Sequence, residues 1–282
     1  MEREETCKYA ALGGHLEMLQ WARRNGCWWD EWTCANAALG GHLKMLQWAR
    51  QNKCPWDLQT CSDAAKGGHL KVLQLGHQNG CPWNEETCRA AASGGHLEVL
   101  QWAQRNGCRW DAEQWKESET FDGCPGPVMT CSEAAEGGHL EVLQWARENG
   151  CPWDEYTCAY AAKGGHLEML QWLRQNGCPW DEYTWWNANS RCRPYLIERR
   201  CPGTKDACEI AAKEGRLELL QLARQNGCPW NELTCTYAAK GGHLEVLQWA
   251  HENGCPWDEM TWRWADRCCR PYLIERGCPG AE

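Results

Sequence analysis

Residues 157–183 read TCAYAAKGGHLEMLQWLRQNGCPWDEY, and near-copies of this stretch recur along most of the chain. A fixed short period of this kind is typical of stacked architectures in which each repeat is one supersecondary unit. The sequence therefore predicts an array of small modules instead of one or two ordinary globular domains. The full copies occupy 6–32, 33–59, 60–86, 130–156, 157–183, 207–233 and 234–260, and a further copy begins at Thr87.

Three more copies are shortened, and each has a tryptophan where the full copies have the cysteine after their first residue: 114–129, 184–206 and 261–282. The last two resemble each other closely, so blocks 130–206 and 207–282 look like a duplicated triplet of full, full and short repeats. Residues 1–113 form the preceding block of four full repeats. We expect a protruding loop or truncated repeat at 114–129, a kink or weaker junction at 184–206, and a polar cap at 261–282.

Each full repeat predicts two short α-helices. An Asp or Asn three residues before the threonine can cap the first helix, and the Gly-Gly that ends this helix can supply a left-handed cap. The second helix, LEMLQWLRQN in the quoted repeat, has apolar residues on more than one face and ends at Asn176-Gly177. Helices this short are marginal alone in water, so each repeat must bury its apolar surface on the next. The predicted fold class is an all-α helical-repeat solenoid. The predicted caps are Asp30, Asp57, Asn84, Asp111, Asp154, Asp181, Asn231 and Asp258.

The run AAKGGHLEVL from Ala238 to Leu247, preceded by Thr234, resembles the ankyrin repeat. That resemblance implies helix–turn–helix repeats and a role in binding other proteins. Because these repeats are shorter than the family's usual length of about 33 residues, the projecting β-hairpin finger should be reduced to a tight turn. The variant is similar to the short, Cys- and Trp-rich ankyrin repeats of algal, oomycete and giant-virus proteins.

Charge and hydropathy exclude some classes of partner. The formal net charge of −9 disfavours a nucleic-acid backbone as the main partner. No apolar run is long enough to span a membrane. The start, MEREETCKYAALGG, lacks the basic leader and apolar core of a signal peptide. We therefore expect an intracellular protein, cytoplasmic or nuclear, that contacts neither nucleic acid nor membrane.

The 22 cysteines raise the possibility of metal or redox chemistry. A structural zinc site needs four ligands, usually from closely spaced C-x2–4-C pairs, and the C-x6-C spacing found here fits that poorly. The favoured interpretation is that cysteine serves as a small buried apolar residue, with metal binding and disulfide or redox roles as the alternatives. We expect no metal and no cofactor. The C-x6-C pairs are Cys27/Cys34, Cys54/Cys61, Cys81/Cys88, Cys124/Cys131, Cys151/Cys158, Cys201/Cys208 and Cys228/Cys235.

The recurring histidines lie at the turn into the second helix, where a side chain can bond backbone groups. Arg216 holds the same place in the repeat that begins at Ala207, which a catalytic or metal-binding role would not readily tolerate. Paired acids such as Glu85-Glu86 lie at helix starts, where carboxylates favour the helix dipole. We therefore predict no catalytic residue and no enzyme. The histidines are His15, His42, His69, His96, His139, His166 and His243.

The tryptophans form two series, one in the links between repeats and one in the second helices. A stacking platform for nucleic-acid bases would need interleaved basic residues, but Asp or Asn follows each link tryptophan. Packing within and between repeats is the favoured interpretation, and Leu75 and Leu222 replace the helix tryptophan in two repeats. The series are Trp56, Trp83, Trp110, Trp153, Trp180, Trp230 and Trp257 in the links, and Trp48, Trp102, Trp145, Trp172 and Trp249 in the helices.

The positions that vary most between repeats are the best candidates for binding. They lie just before the threonine and two, three and six residues after it, on one face of the first helix. Tyr is favoured at interfaces, and lysines follow in the C-terminal half. The alternative is a merely solvated face. The predicted partner-binding residues are Trp32, Tyr156, Tyr160, Lys163, Tyr183, Lys213, Tyr237 and Lys240.

Together these observations favour a monomeric, non-enzymatic scaffold or adaptor that binds a protein partner along the first-helix face. One alternative is a thiol-rich protein that responds to metal or redox state. Another is a substrate adaptor for a ubiquitin ligase, although no segment resembling an F-box is visible. A third is a fragment or decaying copy with no fixed partner, which the irregular short repeats allow.

Overall fold

The computed structural model describes residues 2–110 and 130–281, and every regular element within these ranges is a helix. The chain divides into two compact parts, which we call the N-lobe (Met1–Pro179) and the C-lobe (Trp180–Glu282). Each lobe consists of stacked helix–turn–helix repeats, as in a helical-repeat solenoid. This confirms the predicted all-α repeat fold.

In the described part of the N-lobe, each first helix packs on the first helix of the next repeat and on the second helix of its own. Helices α7 (Glu85–Ser93) and α9 (Thr130–Gly137) pack directly on each other. The stack therefore continues past the predicted truncated repeat at 114–129, which lies outside the described residues. The helices are α1 (Glu2–Leu12), α2 (Leu16–Arg24), α3 (Glu31–Leu39), α4 (Leu43–Gln51), α5 (Leu58–Lys66), α6 (Leu70–Gln78), α7 (Glu85–Ser93), α8 (Leu97–Arg105), α9 (Thr130–Gly137), α10 (Leu140–Glu148), α11 (Glu155–Gly164) and α12 (Leu167–Gln175).

The C-lobe repeats the same packing with two shortened repeats. First helices α15, α17 and α19 pack in sequence, and second helices α14, α16 and α18 do the same. A 3-10 turn, Thr204–Asp206, leads into α15. The α-helices are α13 (Glu182–Asn187), α14 (Arg193–Glu198), α15 (Ala207–Lys213), α16 (Leu217–Gln225), α17 (Glu232–Lys240), α18 (Leu244–Glu252), α19 (Glu259–Trp264) and α20 (Arg270–Glu275).

Most of the predicted N-caps are confirmed. Asp57 accepts bonds from the amides of Gln59 and Thr60, and the Thr60 hydroxyl accepts from the Asp57 amide, which completes a capping box. Asp30 is the exception, since it makes no cap bond and its carboxylate pairs with Lys8 at 2.9 Å. Asp111 lies outside the described residues. The other capping side chains are Asn84, Asp154, Asp181, Asn231 and Asp258.

The Gly-Gly-His motif joins neighbouring repeats. His42 Nε2 donates to the Leu12 carbonyl of the preceding repeat at 3.0 Å. Gly41 has φ of 73°, and a Cβ there would lie 2.5 Å from Nδ1 of His69 in the following repeat. The glycine pair therefore makes room for histidine rings from two repeats, and the predicted backbone-bonding role of the histidine is confirmed. The same bond joins His69 to Leu39, His96 to Lys66, His139 to Ser93, His166 to Glu136 and His243 to Lys213.

The repeat that lacks this histidine has a substitute for it. Arg216 donates from Nη1 to the Ser190 carbonyl at 3.1 Å. Glu214 stands where other repeats have the first glycine, and it pairs with Arg193. A Cβ on Gly67, the first glycine of another repeat, would lie 2.5 Å from the Leu39 carbonyl oxygen and 2.6 Å from Cδ2 of His69. Arginine in place of the histidine therefore removes one of the two contacts that exclude a side chain at this position.

Candidate protein-binding surface

The N-lobe first helices present aromatic and apolar side chains to solvent. Trp32, just before Thr33, is 49% exposed. On α11, Tyr156 and Tyr160 are half-buried and Lys163 is exposed. Lys163 pairs with Glu136 of the adjacent α9 at 2.8 Å, and its ammonium lies 5.4 Å from the Tyr160 ring centroid. This ion pair joins the exposed sides of α9 and α11.

The middle of the N-lobe departs from this pattern. Three residues after the threonine, Asp63 on α5 and Ala90 on α7 are buried, so this position is not always at the surface. Gln59 Nε2 donates to Asp63 Oδ1 at 2.7 Å. Burial raises the pKa of the Asp63 carboxyl, while the bond from Gln59 and the nearby Lys66 oppose the rise.

In the C-lobe, the structure brings one of the predicted residues, Lys240, next to a tryptophan that the sequence did not single out. Tyr237 is half-buried and Lys240 is exposed, both on α17. The Lys240 ammonium lies 4.9 Å from the ring centroid of Trp264 on α19, which is 42% exposed. The remaining predicted residues are the half-buried Tyr183 and the exposed Lys213.

Two exposed tryptophans, Trp186 and Trp264, were missed because they lie in the shortened repeats. Trp186 is 53% exposed on α13. Trp186 stands two residues after Thr184, and Trp264 stands three residues after Thr261. Both positions vary between the full repeats. Extending the same comparison to the short repeats would have found them. Leu233, just before Thr234, adds a further exposed apolar side chain in this lobe.

The tryptophan series pack between repeats, as predicted. Trp153 in a link lies 5.8 Å from Trp172 of the next second helix in an edge-on arrangement, and the Arg147 guanidinium lies 4.2 Å above Trp153. The same pairing recurs in both lobes: Trp29–Trp48, Trp83–Trp102, Trp110–Trp145, Trp180–Tyr195, Trp230–Trp249 and Trp257–Tyr272. These rings therefore serve as contacts between repeats and leave the first-helix face as the candidate surface.

The cysteines that face each other are not the C-x6-C pairs considered from the sequence. Cys7 Sγ donates to Cys27 Sγ of the same repeat at 3.0 Å. Burial raises the pKa of Cys7 to about 12, and burial also raises that of Cys208 to about 12. Such thiols are unreactive at neutral pH. At the same 20-residue spacing, the partner thiol and burial raise the pKa of Cys54, Cys81, Cys178 and Cys235.

The described ranges contain neither a group of metal ligands nor a membrane-spanning helix. Within residues 2–110 and 130–281, no three His, Cys, Asp or Glu side chains are grouped so that they could hold a metal ion. In the same ranges no helix combines the length and the apolar character needed to cross a membrane.

Stacked pairs of short helices, capped by Asp or Asn and joined through Gly-Gly-His, define a helical-repeat protein with an accessible first-helix face. Residues 131–174 and 208–251 match the family model described as ankyrin repeats (many copies). These two segments are therefore ankyrin-type repeats, as the sequence predicted. Their assignment to the short algal, oomycete and giant-virus type stays a prediction.

Among solved structures, the chain is similar to the crystal structure of the human ASB11 ankyrin repeat domain. The sequence identity is 16% and the TM-score is 0.47, over 61% of this chain and 84% of that one. No curated protein matches the chain.

Proposed function

We propose that this protein is a non-enzymatic scaffold or adaptor that binds a protein partner along its first-helix faces. Ankyrin repeats are in general protein–protein interaction modules, and the chain carries such repeats. The single observation that carries the proposal is the contact between Lys240 on α17 and the exposed Trp264 ring on α19, which places a lysine and an aromatic ring from neighbouring repeats on one accessible surface. In this proposal the chain acts as a monomer in the cytoplasm or nucleus.

The composition of the face supports a protein partner. Large aromatic side chains contribute most of the binding energy at the centres of protein interfaces, and tryptophan and tyrosine are the most enriched there. An exposed tryptophan gains from burial against a partner because its large apolar surface leaves water. Trp186 and Trp264 in the C-lobe, and Trp32 in the N-lobe, satisfy this description.

The two lobes can be tested separately by affinity capture from a lysate of the source cells. An N-lobe variant carries Tyr156→Ala with Tyr160→Ala, and a C-lobe variant carries Tyr237→Ala with Trp264→Ala. The matched control is Trp21→Ala, since Trp21 is exposed but lies on the second helix α2. All variants must first show the helical content and unfolding midpoint of the parent chain.

The expected result is a protein that the parent and Trp21→Ala retain and that one or both face variants lose by at least tenfold in affinity, a change of about 1.4 kcal/mol. Equal retention by all four proteins would contradict the first-helix face as the binding surface. Loss only in Trp21→Ala would move the site to the second helices.

A further inference from the structure

The last short repeat contains two adjacent cysteines, Cys268 and Cys269, in a turn just before α20. Its near-copy earlier in the C-lobe has Arg191 and Cys192 at the same places. Cys269 and Cys192 are both fully buried, whereas Cys268 is exposed. Across residues 2–110 and 130–281, Cys268 is the only exposed cysteine. The two sulfur atoms of the adjacent pair lie 3.8 Å apart.

The fold holds Cys268 in place. Its amide donates to Asp266 Oδ1 at 3.0 Å, and its thiol donates to the Gly242 carbonyl at 3.3 Å. The Asp266 amide in turn donates to the Ala239 carbonyl of α17 at 2.9 Å. A Cβ on Gly242 would lie 3.2 Å from Cys268 Sγ, so the thiol occupies the space that a histidine ring fills in the full repeats.

The exposure of Cys268 does not depend on the absence of a following repeat. In the near-copy, α16 packs on α14 and leaves Ile197 1% exposed, whereas the equivalent Ile274 is 54% exposed. Arg191, the counterpart of Cys268, remains exposed in the near-copy even with α16 in place. A repeat stacked after residue 282 in the same manner would therefore leave Cys268 accessible.

We propose that Cys268 and Cys269 form a binding site for trivalent arsenic that carries one organic group. A structural zinc ion needs four ligands, and no three potential ligands are grouped for a metal ion among the described residues. A trivalent arsenic that carries one organic group needs only two sulfurs to complete its bonds. Thiolates are soft ligands and prefer soft acceptors of this kind.

The reaction is a condensation in which arsenic stays trivalent. With phenylarsine oxide, the Cys268 sulfur bonds to arsenic and the thiol proton passes to the arsenic-bound oxygen. The Cys269 sulfur then forms the second bond, its proton joins the same oxygen, and one water molecule leaves. Burial raises the pKa of Cys269 to about 12, so this thiol is a poor first nucleophile. Once arsenic is attached to Cys268, the second step is intramolecular and is favoured by proximity.

The test uses the folded full chain, kept reduced with a phosphine, and phenylarsine oxide as the probe. Native mass spectrometry should show one retained phenylarsenic group per chain. Excess monothiol should leave it in place and a small dithiol should remove it, because a chelated arsenic resists replacement by single thiols. An adduct that the monothiol strips from the parent would overturn the proposal, since it would show attachment through one sulfur.

The near-copy provides the matched variants. Cys268→Arg installs the residue of the near-copy and should lower the retained arsenical from one group per chain to none. Cys269→Ala should do the same, whereas Cys192→Ala, which removes an equally buried thiol, should retain one group. If Cys269→Ala does not fold, Cys268→Arg decides alone. Undiminished retention in Cys268→Arg, or equal loss in Cys192→Ala, would show that other thiols bind the arsenical.

Discussion

Single side chains explain why this repeat tolerates some changes and not others. In Gly-Gly-His, the first glycine, such as Gly67, lies against its own histidine ring and a carbonyl of the preceding repeat, and the second, such as Gly68, lies against the next histidine ring. The one repeat with Arg216 in place of histidine has Glu214 in place of the first glycine. The sequence showed the coincidence of these two substitutions. It could not show that the rings come from two repeats, because that depends on how neighbouring repeats stack.

Gly41 and Gly80 provide a matched test of that explanation. Both have φ of 73°, so alanine at either position is strained by about 1 kcal/mol. Only Gly41 has a neighbour within reach of a new Cβ, the ring of His69, since nothing lies within 4 Å at Gly80. We expect Gly41→Ala to lower the free energy of unfolding by about 1–3 kcal/mol more than Gly80→Ala does. Urea denaturation measures both, and equal losses would show that backbone strain alone requires these glycines.

Asp63 predicts a dependence of stability on pH. The pKa of this carboxyl is raised in the folded protein, so ionised Asp63 lowers the free energy of unfolding at neutral pH. This loss of stability disappears below the ordinary pKa of 3.8, where Asp63 is protonated in both the folded and the unfolded protein. Asp63→Asn, which can still accept the bond from Gln59, should therefore raise stability at pH 7 by about 1 kcal/mol. The gain should shrink as the pH falls towards 3.8. Thermal unfolding across this range measures it.

The control for Asp63 is Glu133→Gln. Glu133 stands at the same place in its repeat but is half-exposed. Glu133→Gln should change the unfolding midpoint little, because this side chain stays in contact with water. A gain for Asp63→Asn that persists unchanged at low pH would show that its cause is packing and not the titration of the carboxyl.

At the scale of helices, caps illustrate how far the sequence prediction reaches. Asp or Asn before each threonine predicted the N-termini correctly, because a capping bond is local and needs only residues a few positions apart. Asp30 makes no capping bond, and its Oδ2 pairs instead with Lys8, an ion pair between residues 22 positions apart that a local capping pattern does not reveal. Trp186 was missed for a different reason, since it lies in a shortened repeat that was not compared with the full repeats.

The difference between Asp57 and Asp30 can be measured. Asp57→Ala removes both side-chain bonds at the start of α5 and should cost about 1 kcal/mol of stability. Asp30→Ala removes only a partly exposed ion pair and should cost less, because such pairs contribute about 0–1 kcal/mol. Chemical denaturation of the two variants compares them. An equal or larger loss for Asp30→Ala would indicate that its carboxylate supports α3 in another way.

Across the whole molecule, the repeat period was enough to predict the fold class, because stacking of identical modules leaves few alternatives. The predicted blocks at 1–113, 130–206 and 207–282, and the kink or weaker junction at 184–206, stay predictions. The division into lobes after Pro179 falls just ahead of that short repeat. The sequence did not predict this division, because local periodicity carries no information on which repeats make the densest contacts.

The stability of a stacked-repeat protein depends mainly on contacts between neighbouring repeats. A destabilising substitution in one lobe should therefore leave the stability of the other lobe unchanged. Leu143 and Leu220 are fully buried on α10 and α16, so alanine at either should cost about 2–5 kcal/mol. We expect Leu143→Ala to lower amide hydrogen-exchange protection in α9 to α12 and to leave α15 to α18 unchanged. Leu220→Ala should do the reverse. If either variant lowers protection equally in both sets of helices, the lobes unfold as one cooperative unit, and binding at one first-helix face would then stabilise the other.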